Sequence, residues 1–265
     1  MAQENHRLSQ HFPMATILNI ETSTSVCSVA LASEGAILQH SEDFQGRNHA
    51  VVLSGFIKDA LDHLRRHEMT LDAVAVSIGP GSYTGLRIGL SEAKGLAYAL
   101  GISLIGVATL ELMSVGVMFS RDDLPEGTLF APMIDARRME VYTAVYDLAL
   151  QPLMKPSPLI LDAESYKEYL DRSPVAFFGD GSAKARELLG GNPNAIFIPD
   201  VNPLAVDMVA LSERAFRNGD FLDLAYSTPL YLKDFQATKP RKCSPISTST
   251  PNTLSLTARR QSTRW

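Results

Sequence analysis

The chain of 265 residues has only two cysteines, one tryptophan and no histidine beyond His67. Cys27 and Cys243 lie far apart, with no CxxC spacing and no histidine at ligand spacing, so neither a disulfide framework nor a zinc site is suggested. A reducing, cytoplasmic setting is expected. No segment reaches the ~18 consecutive apolar residues that cross a bilayer, and the N-terminus has no apolar core of signal-peptide length, so a membrane is not among the expected partners. Clustered basic charge is missing as well. The 24 Lys and Arg stand against 29 Asp and Glu, a formal charge of −5, which argues against a dedicated nucleic-acid binder but not against a subunit of a machine that acts on RNA.

What is present is the composition of an ordinary soluble globular protein, 45% apolar, long enough for two modest domains or one large one. The two ends differ from the middle. Residues 1–13 are polar and patternless, and a strand begins at once after Met14, the expected natural start. Residues 243–265 hold ten Ser or Thr, several Arg and little that buries surface, the composition of a disordered tail; so abrupt a change after Lys242 also fits a shifted reading frame or an unusual extension. The expected organisation is an N-terminal extension over 1–13, a first lobe over 14–108, a second over 109–235 and a tail over 236–265.

Within the body, alternation and apolar runs predict strands over 16–21, 25–32 and 36–42, separated by Thr22-Ser23-Thr24 and Ser33-Glu34-Gly35, a meander of antiparallel strands. The period then changes to 3.6: Val52, Leu53, Phe56, Ile57, Ala60, Leu61 and Leu64 share one stripe of a helix over 48–67. A strand over 71–78, a helix over 85–100 and a strand over 103–107 complete a β-β-β-α-β-α-β unit. A similar series follows: strands over 129–135, 140–148 and 153–161, a helix over 163–170, a strand over 175–179, a helix after Ser182, a strand over 195–198 and a helix over 204–218. The predicted fold is α/β, one architecture used twice.

The most telling stretch joins the strand over 71–78 to Gly79-Pro80-Gly81-Ser82-Tyr83-Thr84-Gly85-Leu86-Arg87-Ile88-Gly89. Gly79 and Gly81 permit a turn with positive φ, and Gly85, Gly89, Ala93 and Ala97 recur every four residues, leaving one helix side almost without side-chain bulk. Such a side admits another backbone at close range. A phosphate cradle is the competing reading, since a Gly-rich turn opening a helix presents free N–H groups. It lacks the Lys-Ser/Thr of a Walker loop, and the Rossmann fingerprint does not fit.

The duplicated order resembles the actin-like ATPase (ASKHA) superfamily, with two related lobes each built on a mixed sheet flanked by helices. A closer resemblance is to the bacterial TsaB (YeaZ) family, carried by Ile17-Leu-Asn-Ile-Glu-Thr-Ser-Thr24, Cys27-Ser-Val-Ala-Leu31, the 78–89 segment, Lys94-Gly-Leu-Ala97 and Asp135-Ala-Arg-Arg-Met-Glu-Val-Tyr142. It runs from about Met14 to Phe235. The resemblance implies a non-catalytic subunit that binds and organises a catalytic TsaD-type paralogue, within a complex that also holds a TsaE-type ATPase and places a threonylcarbamoyl group on tRNA adenosine. Homodimerisation in isolation is a further expectation. The alternative is an ATP-dependent phosphotransferase of the sugar-kinase type.

The residues bear on which subunit does the chemistry. TsaD relatives carry His-x-x-x-His after the small-residue helix, two imidazoles on one helix face able to share a metal. Here Thr109 and Met113 hold those positions, and Glu111 alone is one ligand at most, so no metal is expected. Actin-like ATPases place an Asp at the end of the first strand with a Gly soon after; this chain has Glu21-Thr22-Ser23-Thr24. Glu21, Thr22, Ser23, Gly179 and Gly181 are therefore weak nucleotide candidates, Asp180 would repel a phosphate, and Ser182 reads as a helix N-cap. No cofactor is expected to bind tightly, and nucleotide only at a subunit joint. An old glycoprotease label finds no support: no GxSxG elbow exists and Ser82 has no assignable base. No catalytic residue is assigned. The expected partner interface pairs the two helices over 48–67 and 85–100 with their equivalents in a four-helix contact, through His49, Val52, Phe56, Gly85, Gly89, Leu90, Ala93 and Ala97.

Overall fold

Every residue of Thr16–Glu21 (β1) is buried, because this strand lies in the middle of a sheet covered on both sides. Leu18 and Ile20 face one layer and Ile17 the other, as the period of two requires. The computed structural model describes residues 15–46 and 48–233; the expectations for 1–13, Met14, Cys243 and the tail over 236–265 lie outside them. β1 pairs antiparallel with Cys27–Ser33 (β2), which pairs antiparallel with Ala36–Asp43 (β3). On its other side β1 is parallel to Ala73–Gly79 (β4), and β4 to Ser103–Ala108 (β5).

The second sheet repeats this plan strand for strand. Leu129–Asp135 (β6) is antiparallel to Glu140–Tyr146 (β7), and β7 to Pro152–Ile160 (β8). β6 is parallel to Val175–Phe178 (β9), and β9 to Ala195–Ile198 (β10). The orders β3-β2-β1-β4-β5 and β8-β7-β6-β9-β10 superimpose in direction as well as sequence, so the two-lobed α/β architecture read from the element order is present.

Helices His49–Arg66 (α1) and Tyr83–Leu100 (α2) cover the outer face of the first sheet, with Leu53, Ile57, Ala60, Leu64, Leu90 and Ala93 in one core. Thr109–Ser120 (α3) lies between the sheets. Leu112 and Val115 enter the core of the first, while Leu110, Met113 and Val117 enter that of the second. A mainly apolar helix is stable when most of its sides are covered; here Glu111, half-buried, and the end at Phe119 and Ser120 look outward. The outer face of the second sheet is closed by Lys167–Leu170 (α4) and Ser182–Leu189 (α5), where Tyr166 donates from Oη to Thr143 Oγ1 at 2.8 Å.

Two segments depart from the sequence reading. The helix expected over 163–170 shortens to α4, because Asp162 draws Glu164 N–H and Ser165 Oγ into a turn. The helix expected over 204–218 splits into a 3-10 turn, Ala205–Met208, and Val209–Asn218 (α6). Ala205, Met208 and Leu211 pack on Ile17, Ala75 and Ile105 of the first sheet, so the chain returns there after building the second. The following residues return to the first sheet: Leu222 N–H donates to Leu104 O on the free edge of β5, and Leu230 N–H to Ile78 O near the end of β4. Among the described residues no helix is long and apolar enough to cross a membrane.

Candidate functional site

The small-residue stripe of α2 faces inward. Gly79 takes φ +107°, and the turn after it carries Gly81 to a place where a side chain would collide with Ser23 O. Ser82 N–H donates to Ser23 O at 2.6 Å, and Ser82 Oγ caps α2 by accepting Gly85 N–H. A methyl group on Gly85 would overlap Thr22 O, and one on Gly89 would overlap Thr22 Oγ1, which donates to Gly85 O at 2.9 Å. Leu90, Ala93 and Ala97 continue the stripe into the core beneath α1. Gly85, Gly89, Leu90, Ala93 and Ala97 are thus buried in the chain's own fold, a correction to their expected place at a partner surface: the backbone that approaches so closely is the β1–β2 turn.

His49, Val52 and Phe56 are half-buried on α1. His49 Nε2 lies 3.0 Å from Thr24 O and donates to it, pinning the start of α1 to the same turn. Phe56 packs on the sheet core. The open sides of the two helices carry residues that the sequence reading passed over. Val51 is 73% exposed and Tyr98 81% exposed, and among the described residues nothing lies within 4 Å of where a side chain on Gly55 or Gly95 would start. Ser91, Gly95 and Ala99 form a second stripe at four-residue spacing, offset by two positions from the first and therefore on the opposite side of α2. That second stripe was visible in the sequence, but it is the contact of the first with Thr22 that leaves it open.

The turn offered as a phosphate loop is sealed. Glu21, Thr22 and Ser23 have no solvent exposure, since residues 79–85 lie over them. Glu21 Oε1 accepts Ser23 N–H, while Oε2 has no partner among the described residues. Burial pushes the Glu21 carboxyl up to about 7, against the opposing pull of hydrogen bonds from Ser23, Ser77 and Thr22. A nucleotide phosphate reaches none of these groups without displacing the turn, which corrects the candidacy of all three.

The second candidate turn is filled from within. Gly179 has φ +95° and sits against Met113 Cε, and a side chain on Gly181 would meet Val141 Cγ1 at 2.8 Å. Asp180 Oδ1 accepts Asp135 N–H at 2.8 Å, and Lys184 Nζ bonds Asp135 Oδ1 at 2.8 Å. Burial raises the Asp180 carboxyl, with the Asp135 charge adding to it. Ser182 Oγ donates to Gly179 O at 2.7 Å and is the first residue of α5, not its N-cap as expected. Thr109 and Met113 are core residues of α3, with Glu111 on its outer side 3.7 Å from Arg214 Nη2. Among the described residues no three His, Cys, Asp or Glu converge on a common point that would hold a metal.

The family model described as "TsaD: tRNA N6-adenosine threonylcarbamoyltransferase" matches residues 39–228. The tRNA threonylcarbamoyladenosine biosynthesis protein TsaB of Escherichia coli is 29% identical over 228 residues, 84% of this chain and 96% of the relative. Its Bacillus subtilis namesake is 31% identical over 179 residues, 66% of this chain and 75% of that one. The solved structure of YeaZ from Pseudomonas aeruginosa is similar with a TM-score of 0.69 and 28% identity, covering 83% of this chain and all of that one.

Proposed function

The chain belongs to the TsaB (YeaZ) family, and from that membership we propose that it takes part in forming threonylcarbamoyladenosine in tRNA as a non-catalytic subunit that binds and organises a TsaD-type catalytic partner. The observation that carries the assembly role is the open face of α1 and α2. Val51, Gly55, Ser91, Gly95 and Tyr98 present backbone and one large aromatic ring to solvent, with no side chain among the described residues over the two glycines. Helices with small residues on a shared side pack closely, and an exposed Tyr beside them is the kind of residue that anchors an interface. The reading without catalysis rests on Thr109 and Met113 standing where TsaD relatives carry histidines, and on the closure of the Glu21 turn. That closure also weighs against the sugar-kinase alternative. A TsaE-type ATPase and tRNA meet the chain through the complex, and self-association uses the same helices when the partner is absent.

The purified chain is expected to transfer no threonylcarbamoyl group to tRNA alone and to restore transfer when mixed with its TsaD-type partner. Gly95→Trp should keep the circular dichroism of the parent and lose partner binding by at least tenfold. Transfer by the chain alone would overturn the non-catalytic reading, and undiminished binding by the Gly95 variant would remove α2 from the interface.

A further inference from the structure

The His-x-x-x-His spacing missing at Thr109 and Met113 occurs elsewhere in the chain, as His63-Leu64-Arg65-Arg66-His67 at the end of α1. His67 N–H donates to His63 O at 3.2 Å, so the helical turn runs on through His67 and brings both imidazoles to one face. Their ring centres are 4.5 Å apart, with the planes inclined by 40°. Two imidazoles bound to one ion at about 2.0–2.1 Å from each nitrogen have ring centres roughly 4.5–5 Å apart, for bite angles of about 90–110°. The observed separation falls in that range. His63 is half-buried and His67 exposed, and among the described residues neither ring makes a hydrogen bond or an ion pair, so nothing in the fold competes for their lone pairs.

The surrounding charges decide which ion suits the pair. Among the described residues no acidic side chain joins the two rings as a third ligand. Asp62, on the turn before, is already paired with Lys58 at 2.7 Å and Arg65 at 2.9 Å, and Arg66 Nε donates to Asp62 O at 3.2 Å. A hard cation such as Mg2+, which is held by carboxylates and charge, gains nothing beside two guanidinium groups. An ion whose gain comes from bonding to nitrogen does gain there, and it needs no charged ligand. We propose that His63 and His67 together chelate a late first-row divalent cation, Cu2+ most tightly and Ni2+ or Zn2+ less so, with water in the remaining positions. Both ligands stand on successive turns of one helix whose buried side, Leu53, Ile57, Ala60 and Leu64, is fixed in the core, so the second imidazole meets the ion at little further loss of freedom. The inference concerns the chain by itself and does not rest on the assembly role.

The test titrates the full chain with Zn2+ and with Mg2+, following the imidazole C–H resonances, with those of His40 and His49 as internal controls. Zn2+ is expected to shift the resonances of His63 and His67 together, along one binding curve, and Mg2+ to shift neither. Cu2+ added in equal amount should displace the Zn2+ and broaden the same two signals. His63→Gln and His67→Gln, outside the core, should keep the circular dichroism of the parent and each weaken Zn2+ at least tenfold. The double substitution should weaken it little beyond either single one, because one imidazole alone no longer chelates. Single substitutions that leave the affinity within twofold would overturn the proposal by making the rings two separate one-ligand contacts. So would equal shifts from Mg2+, and so would Zn2+ binding that survives the double substitution undiminished, which would assign the ion to other histidines.

Discussion

Gly85→Leu is expected to leave no folded protein, while Gly55→Leu, a similar change on the neighbouring helix, should fold with parent-like circular dichroism. The difference lies in what each new side chain meets. At Gly85 the obstruction is Thr22 O, a backbone atom in a turn fixed by Ser82 N–H on Ser23 O and by Thr22 Oγ1 on Gly85 O. A flexible side chain would swing away; a carbonyl held at both ends does not. Overpacking a filled core costs ~1–3 kcal/mol or more, and here leucine must displace backbone rather than a side chain, in a fold whose whole stability is on the order of 5–15 kcal/mol. At Gly55 nothing among the described residues stands within 4 Å, and leucine gains up to ~1 kcal/mol in helix propensity. Chemical denaturation of Gly85→Ala, Gly85→Leu and Gly55→Leu checks this. A folded Gly85→Leu would mean that the α2 stripe does not meet the turn.

Glu21→Gln is expected to stabilise the chain at pH 8 and not at pH 4. A carboxyl raised from its usual 4.5 to about 7 holds its proton more tightly folded than unfolded. Folding is therefore favoured below pH 4.5, loses ground as the pH rises from 4.5 to about 7, and bears the whole cost above that. For a side chain with no solvent exposure the cost is about 3 kcal/mol, or roughly 5–10 °C in Tm for a chain of this size. Glutamine keeps an acceptor for Ser23 N–H and carries no charge. Melting curves at the two pH values decide the matter: an equal difference at both would mean that Glu21 is solvated, and a less stable variant at pH 8 would mean that its charge has a partner.

The strands and their duplication were legible in the sequence because both depend on local pattern. Thr16–Glu21 and Leu129–Asp135 are apolar runs bounded by polar turns, and each is followed by the same order of strands. The orientation of α2 was not legible. Gly85, Gly89 and Ala93 form one small stripe and Ser91, Gly95 and Ala99 another, and only contact with Thr22 decides which is covered. Glu21-Thr22-Ser23-Thr24 reads locally as an open polar turn, and it is buried by residues some sixty positions later.

The burial of α3 on two sides has a mechanical consequence. Leu112 and Val115 are held by the first sheet, and Leu110, Met113 and Val117 by the second, so one rod of twelve residues is mortared into both walls. Spreading the sheets, as a clamshell does around its contents, would tear apolar contacts from one side of that rod along its whole length. Both cores therefore oppose that spreading through the same helix. A load applied at α1 and α2 is borne by the entire molecule, as a fixed abutment bears the thrust of an arch.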